Sequence, residues 1–231
     1  PQQREQLAPC SGGCASGTDV RGWIAVVAQR RKLGLSDKEA YFKAWSMVTA
    51  VNPFPATLGR ICPHPCESGC NRGDMDGPVA INALERFLGD WALKLKLPLA
   101  RLEKEPKPES IGVIGAGPAG ISFAYQLARR GYRVTIYEKE DTAGGARYYG
   151  IPGYRLPGDI LAAEIERILA LGVELKLNAA IGKELQLEQL RQAHDILFLG
   201  IGAGKGLKLG IPGEEGPGAW TGTEYLARIN R

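Results

Sequence analysis

Cys62-Pro63-His64-Pro65-Cys66-Glu67-Ser68-Gly69-Cys70 sets three thiols in one short stretch, each separated from the next by three residues. Cys10 and Cys14 repeat that spacing near the start, and all five cysteines fall within the first 70 of 231 residues. Thiolates are soft ligands, suited to iron–sulfur clusters or to zinc. Zinc sites usually pair C-x-x-C knuckles, a spacing that neither group of cysteines has. A disulfide framework would instead spread through a small secreted chain. The thiols therefore read as cluster ligands, and His64, held between two prolines, as a bystander.

A second chemistry begins at Gly115-Ala116-Gly117-Pro118-Ala119-Gly120, a complete G-x-G-x-x-G. With so many glycines in the chain the pattern alone is weak, but an apolar run enters it and a helical pattern leaves it, as a dinucleotide fingerprint requires. Gly115 permits the tight turn, Gly117 admits a pyrophosphate close to the backbone, and Gly120 lets helix pack on strand. The free N–H groups at the helix start favour the phosphates. Glu138, followed by Lys139, stands at the end of the next apolar run, where a carboxylate accepts both ribose hydroxyls and repels a 2′-phosphate. Gly144-Gly145 offers a second close approach of backbone, suited to the longer FAD molecule over NAD. Gly200-Ile201-Gly202-Ala203-Gly204-Lys205 imitates a phosphate loop, but its spacing fails and Gly206 replaces the required Ser or Thr.

The elements that must carry these groups differ between the two regions. Before the glycine loop the pattern is helical, over 20–30, 37–51 and 81–93, with Ser36-Asp37 able to cap the second helix and Asn52-Pro53-Phe54-Pro55 ending it. Residues 97–110 hold three prolines among charges and read as a linker. Beyond it, strands at 111–114, 133–137, 173–177 and 196–201 alternate with helices at 118–130 and 159–171, which implies a parallel sheet with crossover connections. The expected fold is α+β multidomain: an N-terminal α-helical iron–sulfur domain with linker over 1–105, then the N-terminal part of a Rossmann-like α/β FAD-binding domain over 106–231. The chain begins at Pro1, and Glu224-Tyr225-Leu226-Ala227-Arg228 reads as a helix just begun, so both ends are expected to be cut. A net charge of +4 without a basic run argues against nucleic acid. Short apolar stretches argue against a membrane span, and the absence of a secretory signal makes cytoplasmic the expectation. Neither a nucleophile triad nor a paired-carboxylate hydrolase site is visible.

Several motifs in one order carry a resemblance over most of the chain: Cys10-x-x-x-Cys14, then N-P-F-P-x-x-x-G-R-I-C-P-H-P-C-E-x-x-C over 52–70, then G-P-V-A-I over 77–81, then the dinucleotide fingerprint. The chain resembles the small subunit of glutamate synthase and the N-terminal part of dihydropyrimidine dehydrogenase. That resemblance implies an oxidoreductase in which NAD(P)H reduces FAD by hydride transfer and electrons pass singly through a 4Fe-4S cluster to or from a partner protein. The family holds two such clusters, but its first cysteine pair falls on Gln2 and Glu5 here. One cluster is therefore expected. By the family pattern it maps onto Cys14, Cys62 and Cys66 with Glu85 as fourth ligand, while thiolate preference leaves Cys10 or Cys70 open for that place. The same resemblance implies that Arg155 contacts FAD, that Ile181 lies against it, and that Gly202-Ala203 sits near it at a strand end.

The family's second fingerprint, for NAD(P)H, is missing after Gly120. The NAD(P)H site is thus expected outside these residues, and the remainder of the same polypeptide or a second chain is expected to complete the flavin and nicotinamide domains. Two rival functions stand beside the enzyme reading: a non-catalytic electron-transfer adaptor and a zinc-stabilised dinucleotide-binding module. The physiological acceptor, the choice of NADH or NADPH and the oligomeric state are not legible.

Overall fold

The computed structural model describes residues 7–204 and 206–230. Gln2, Glu5 and Lys205, on which parts of the sequence reading rest, lie outside the described residues. The chain divides into two units, Pro1–Leu99 and Ala100–Arg231.

The first unit is helical: α1 (Pro9–Gly12), α2 (Val20–Ala28), α3 (Asp37–Thr49), α4 (Pro55–Ile61), α5 (Pro65–Ser68) and α6 (Ile81–Lys94). A capping box fixes the start of α3, where Glu39 N donates to Ser36 Oγ and the Glu39 carboxylate accepts from Ser36 N. Helix α4 begins with Pro55 at its first turn, where a missing N–H costs nothing. The four-residue helices α1 and α5 and the short α4 escape a periodicity reading because they are too short to show a face. Trp23, Trp45 and Leu88 are almost fully buried and form the core. Helices α4 and α6 cross at two glycines: a Cβ on Gly59 would lie 2.4 Å from Arg86 Cα, and one on Gly89 would lie 2.3 Å from Ala56 N. That contact sets α6 beside the segment that leads into Cys62.

The second unit is a four-stranded parallel sheet in the order β3-β2-β1-β4, built from β1 (Ser110–Ile114), β2 (Arg133–Tyr137), β3 (Glu174–Lys176) and β4 (Ile196–Leu199). The register pairs Ile111 with Val134 and, on the other side, with Ile196. Helix α7 (Pro118–Ala128) joins β1 to β2, α8 (Ala146–Tyr149) and α9 (Gly158–Leu169) lead to β3, and α10 (Leu187–Ala193) precedes β4. Ile111, Val113, Ile121, Ala124, Ile136, Leu161 and Ile168 are buried at 2% exposure or less, so the sheet is packed by apolar helix faces. Strand β4 is an edge with Ile196 and Leu199 about half exposed or more, at 49% and 63%. Helix α11 (Gly222–Ile229) is a capped helix of eight residues, started by a Thr221–Glu224 capping box, and not the first turn that the sequence suggests.

Residues 100–105, expected to belong with the first domain as part of its linker, group with the second unit. Hydrogen bonds explain this. Leu102 N and Glu103 N donate to Arg129 O at 2.7 and 3.2 Å, Lys107 N donates to Gly131 O at 2.9 Å, and Arg101 Nη2 donates to Leu171 O at 2.7 Å. No helix among the described residues is long and apolar enough to cross a membrane.

Candidate functional site

The glycine loop leaves the carboxyl end of β1 and enters α7, the place where parallel sheets bind ligands. Gly115 has φ +102°, and a Cβ there would meet Gly200 O at 2.5 Å; a Cβ on Gly120 would lie 1.9 Å from Gly115 O. Neither position admits any other residue. Gly117 differs: a Cβ there meets nothing within 4 Å. Its freedom from side chain leaves open space before the first N–H groups of α7, which is where an anion would approach.

Two further groups close on this loop. Glu138 is buried at the end of β2; its Oε2 accepts from Ala116 N at 2.6 Å and its Oε1 from Glu140 N at 3.1 Å. Each oxygen uses one backbone donor, and a carboxylate has further acceptor capacity for hydroxyls. Gly144 N donates to Ala116 O at 2.8 Å, and a Cβ on Gly145 would lie 2.8 Å from Gly117 Cα, both glycines having positive φ. The second glycine pair is thus seated directly on the first loop. Ala116, Pro118 and Ala119 complete the turn, with Pro118 opening α7. Lys139, Glu140, Asp141, Thr142, Tyr148 and Asn178 line an adjoining cleft of about 250 Å³ at the carboxyl end of β2. A larger cleft, about 420 Å³, lies at the opposite ends of the strands beside Arg101 and Arg133, away from the glycine loops.

The remaining expected residues are less gathered. Ile181 packs against the cluster of Ile114, Tyr137, Ala179 and Leu190 and bridges to Leu185. Arg155 is exposed in a turn where its N–H donates to Pro152 O at 2.9 Å, and Gly202 and Ala203 are exposed beyond β4. Two charged residues that the sequence reading passes over are buried: Arg147 and Glu164, at 5% and 0% exposure. Burial lowers the Arg147 guanidinium to about 10, opposed by the Glu164 charge. The one signal available in advance was that Glu164 falls on the apolar face of its helix, in register with Leu161 and Ile168.

In the helical unit all five thiols are free. The backbone beside Cys14 comes close to Cys66. Burial first, and then the nearby charges of Cys14, Glu67 and Cys62, push the Cys66 thiol up to about 11. Helices α1 and α5 meet there, since a Cβ on Gly13 would lie 3.3 Å from Cys66 Cα. Cys62 Sγ accepts from His64 N at 3.3 Å, while the His64 ring turns to Cys62 O at 2.9 Å. Cys70 is in a different setting: N–H groups of Val79 and Arg72 hold its thiol below the usual range. Cys10 is half-buried on α1. Glu85 accepts from Asn52 Nδ2 at 2.5 Å, and Asn52, itself 3% exposed, is fixed by Phe54 N donating to its Oδ1 at 2.9 Å. Among the described residues no three Cys, His, Asp or Glu side chains gather at the spacing of a single ion. Neighbouring thiols repel one another once ionised, and a multivalent cationic centre offsets that repulsion. The donor set fits a cluster.

The comparisons with known proteins agree with this division. Residues 5–97 match the family described as dihydropyrimidine dehydrogenase domain II, 4Fe-4S cluster. Residues 113–160 match the NAD(P)-binding Rossmann-like domain. The chain is 37% identical to the NADP(+)-dependent formate dehydrogenase subunit beta of Moorella thermoacetica, over 96% of this chain and 34% of that protein. It is 36% identical to the NAD-dependent dihydropyrimidine dehydrogenase subunit PreT of Escherichia coli, over 87% of this chain and 48% of that one. It is 32% identical to the glutamate synthase (NADPH) small chain of Mycobacterium tuberculosis, over 96% of this chain and 44% of that one. The chain therefore spans less than half the length of these relatives. Both family matches fall in the order that the two units have: a dihydropyrimidine dehydrogenase-type 4Fe-4S domain stands ahead of a Rossmann-like dinucleotide-binding domain, and the chain is similar in this to subunits named as oxidoreductases.

Proposed function

We propose that the chain is the cluster-bearing and FAD-binding part of an NAD(P)H-dependent iron–sulfur flavoprotein that passes electrons to or from a partner redox protein. The observation that carries this reading is the seating of Gly144-Gly145 on Gly115–Gly120 in a chain whose other unit matches a 4Fe-4S family. One glycine loop suffices for a dinucleotide; a second pair of glycines pressed on the first provides a longer backbone surface, which suits FAD. When bound, flavin and cluster supply the conversion between two-electron and one-electron transfer.

The residues have distinct tasks in this reading. The N–H groups at the start of α7 receive the diphosphate, and Gly117 leaves it room. Glu138 accepts the adenosine ribose hydroxyls, with Lys139 beside the same cleft. Arg155, Ile181, Gly202 and Ala203 line the flavin once the site is complete. Cys14, Cys62 and Cys66 hold the cluster, and the fourth ligand is Glu85, Cys10 or Cys70. The nicotinamide site belongs to sequence outside these residues. The setting is cytoplasmic, and the electron partner is a separate protein.

Purified protein tests the proposal. Cofactor released by heat should run as FAD on chromatography, iron should be present, and NAD(P)H should drive dye reduction by the whole protein. Recovery of FMN alone would sink the flavin assignment. Iron and FAD without any NAD(P)H-driven reduction would leave an electron-transfer adaptor in its place. A colourless zinc protein would remove the redox reading altogether.

A further inference from the structure

Gly112 stands in the middle of β1, where a glycine weakens a strand and marks a close approach. A Cβ there would lie 2.7 Å from His194 Cδ2 and 2.5 Å from Leu197 Cδ2. The missing side chain makes room for the His194 imidazole against the sheet. The ring is held at both nitrogens: Nδ1 lies 2.7 Å from Ser110 Oγ, and Nε2 lies 2.9 Å from Tyr137 Oη. The backbone beside it is clamped to the same place. Ser110 N donates to Asp195 Oδ2 at 2.7 Å, and Asp195 N donates to Ser110 O at 3.0 Å. His194 thus ties the first residue of β1 to the last residue of β2, and no task assigned to the dinucleotide site uses it.

Tyr137 carries the connection to that site. It is 6% exposed, meets the His194 ring edge-on with centroids 5.7 Å apart, and packs with Ile114, Ala179 and Leu190. Its carbonyl accepts from Gly115 N at 2.8 Å, at the turn of the first glycine loop. Glu138 follows it directly, and Glu138 Oε2 accepts from Ala116 N at 2.6 Å. One residue therefore touches the imidazole through its hydroxyl and the glycine loop through its carbonyl.

A neutral imidazole donates from one nitrogen and accepts at the other. The phenol is the more acidic hydroxyl and so the better donor, and Tyr137 is buried where Ser110 is half-buried. Tyr137 Oη therefore donates to Nε2, and Nδ1–H donates to Ser110 Oγ. Proton uptake by the ring removes the acceptor of the Tyr137 O–H, and a buried donor left without its acceptor is costly. It also sets a second cation beside Lys176, whose Nζ stands 5.3 Å over the Tyr137 ring. Lys176 and Glu174 from β3 and Asp195 from its own segment are the charges that act on the imidazole. Arg191, on the helix that leads into it, pairs with Glu188.

We propose that neutral His194 is a positioning residue for the bound dinucleotide: it holds Tyr137, and through Tyr137 the first glycine loop and Glu138, so that proton uptake by the ring loosens the dinucleotide. The inference rests on the FAD reading given above. It goes beyond that reading by making cofactor affinity depend on pH through a side chain outside both glycine loops.

The test uses the whole protein stripped of flavin, with FAD titrated back and followed by quenching of its fluorescence. Titrations run from about pH 8 to about pH 5.5, the range in which histidine changes charge and the diphosphate of FAD does not. Wild-type affinity should fall several-fold toward the acid end, because binding and proton uptake oppose each other. His194→Gln, whose amide still donates and accepts, should hold one affinity across the range. Tyr137→Phe, which keeps the ring and loses the hydroxyl, should also flatten the profile, whereas Ser110→Ala should keep the wild-type fall. The flavin-free unfolding midpoint at each pH separates loss of fold from loss of affinity. If His194→Gln does not fold, Tyr137→Phe decides: a flat profile supports the coupling, and a wild-type slope overturns it. Wild-type protein that binds FAD equally well at every pH would overturn only the role of His194, as would an equal slope in wild type and His194→Gln. Wild-type protein that takes up no FAD at any pH would overturn the FAD reading and this inference with it.

Discussion

Gly117 and Gly120 stand three residues apart in the same loop, and the structure predicts opposite reasons for their loss of function. A Cβ on Gly120 would lie 1.9 Å from Gly115 O, and real Cβ atoms essentially never come closer than 3.0 Å. In Gly120→Ala the start of α7 must therefore retreat from β1 by about 1 Å. Overpacking of this kind costs about 1–3 kcal/mol, and the obstacle here is backbone, which places the cost at the upper end. Gly117 already has φ −82° and ψ −175°, which alanine adopts, and its Cβ would meet nothing within 4 Å. Gly117→Ala should therefore leave the flavin-free protein within about 1 kcal/mol of wild type, the modest penalty of alanine at a helix N-cap. The new methyl group occupies the space in which the diphosphate lies, and losing one backbone N–H to a charged acceptor costs about 1.5–3 kcal/mol. That is roughly a 10- to 150-fold loss of FAD affinity. Thermal unfolding of flavin-free protein and fluorescence titration with FAD give the two numbers separately. Gly120→Ala should lose both stability and FAD, and Gly117→Ala only FAD. A Gly117→Ala protein that binds FAD as tightly as wild type would refute the placement of the diphosphate over this loop.

Further expectations follow from the thiols, the helix crossing and one histidine. Cys62→Ala should abolish the cluster's visible absorbance, and iron analysis of wild type should give about four irons per chain, as one 4Fe-4S cluster requires; near eight would refute the single-cluster count. Gly89→Ala should destabilise the helical unit by about 3 kcal/mol or more, because its methyl group would lie 2.3 Å from Ala56 N; calorimetry showing an unchanged unfolding transition would contradict the crossing. His194 bridges Ser110 Oγ at 2.7 Å and Tyr137 Oη at 2.9 Å, and burial, then Lys176, hold its pKa below the ordinary value of 6.5 against the opposing pull of Glu174 and Asp195. The unfolded chain then binds the proton more readily than the folded one, so stability is full above about pH 6.5 and falls as pH drops through the folded value. A urea titration across that range should show the decline in wild type and a flatter profile in His194→Gln; identical profiles would exclude His194 as the source.

The two chemistries were legible in the chain itself because they depend on local spacing. A glycine loop between a strand and a helix, a carboxylate at the next strand end, and thiols four residues apart carry their meaning within short windows, and the parallel order of strands follows from alternation with helices. Helices α1, α4 and α5 were not legible, since four to seven residues show no periodicity and their prolines read as breaks. Nor was the attachment of residues 100–105 to the second unit, which depends on carbonyls of Arg129, Gly131 and Leu171 that lie far along the chain. Sequence spacing treats Cys62, Cys66 and Cys70 alike; only the packing of α1 against α5 sets Cys14 beside Cys66 and leaves Cys70 in a pocket of backbone N–H groups. Glu164 and Arg147 show the same limit: in a string of residues they are ordinary helix and loop charges. Their burial is decided by which face of α9 turns inward and by where the second glycine pair comes to rest, because burial is a property of neighbours brought from elsewhere in the chain.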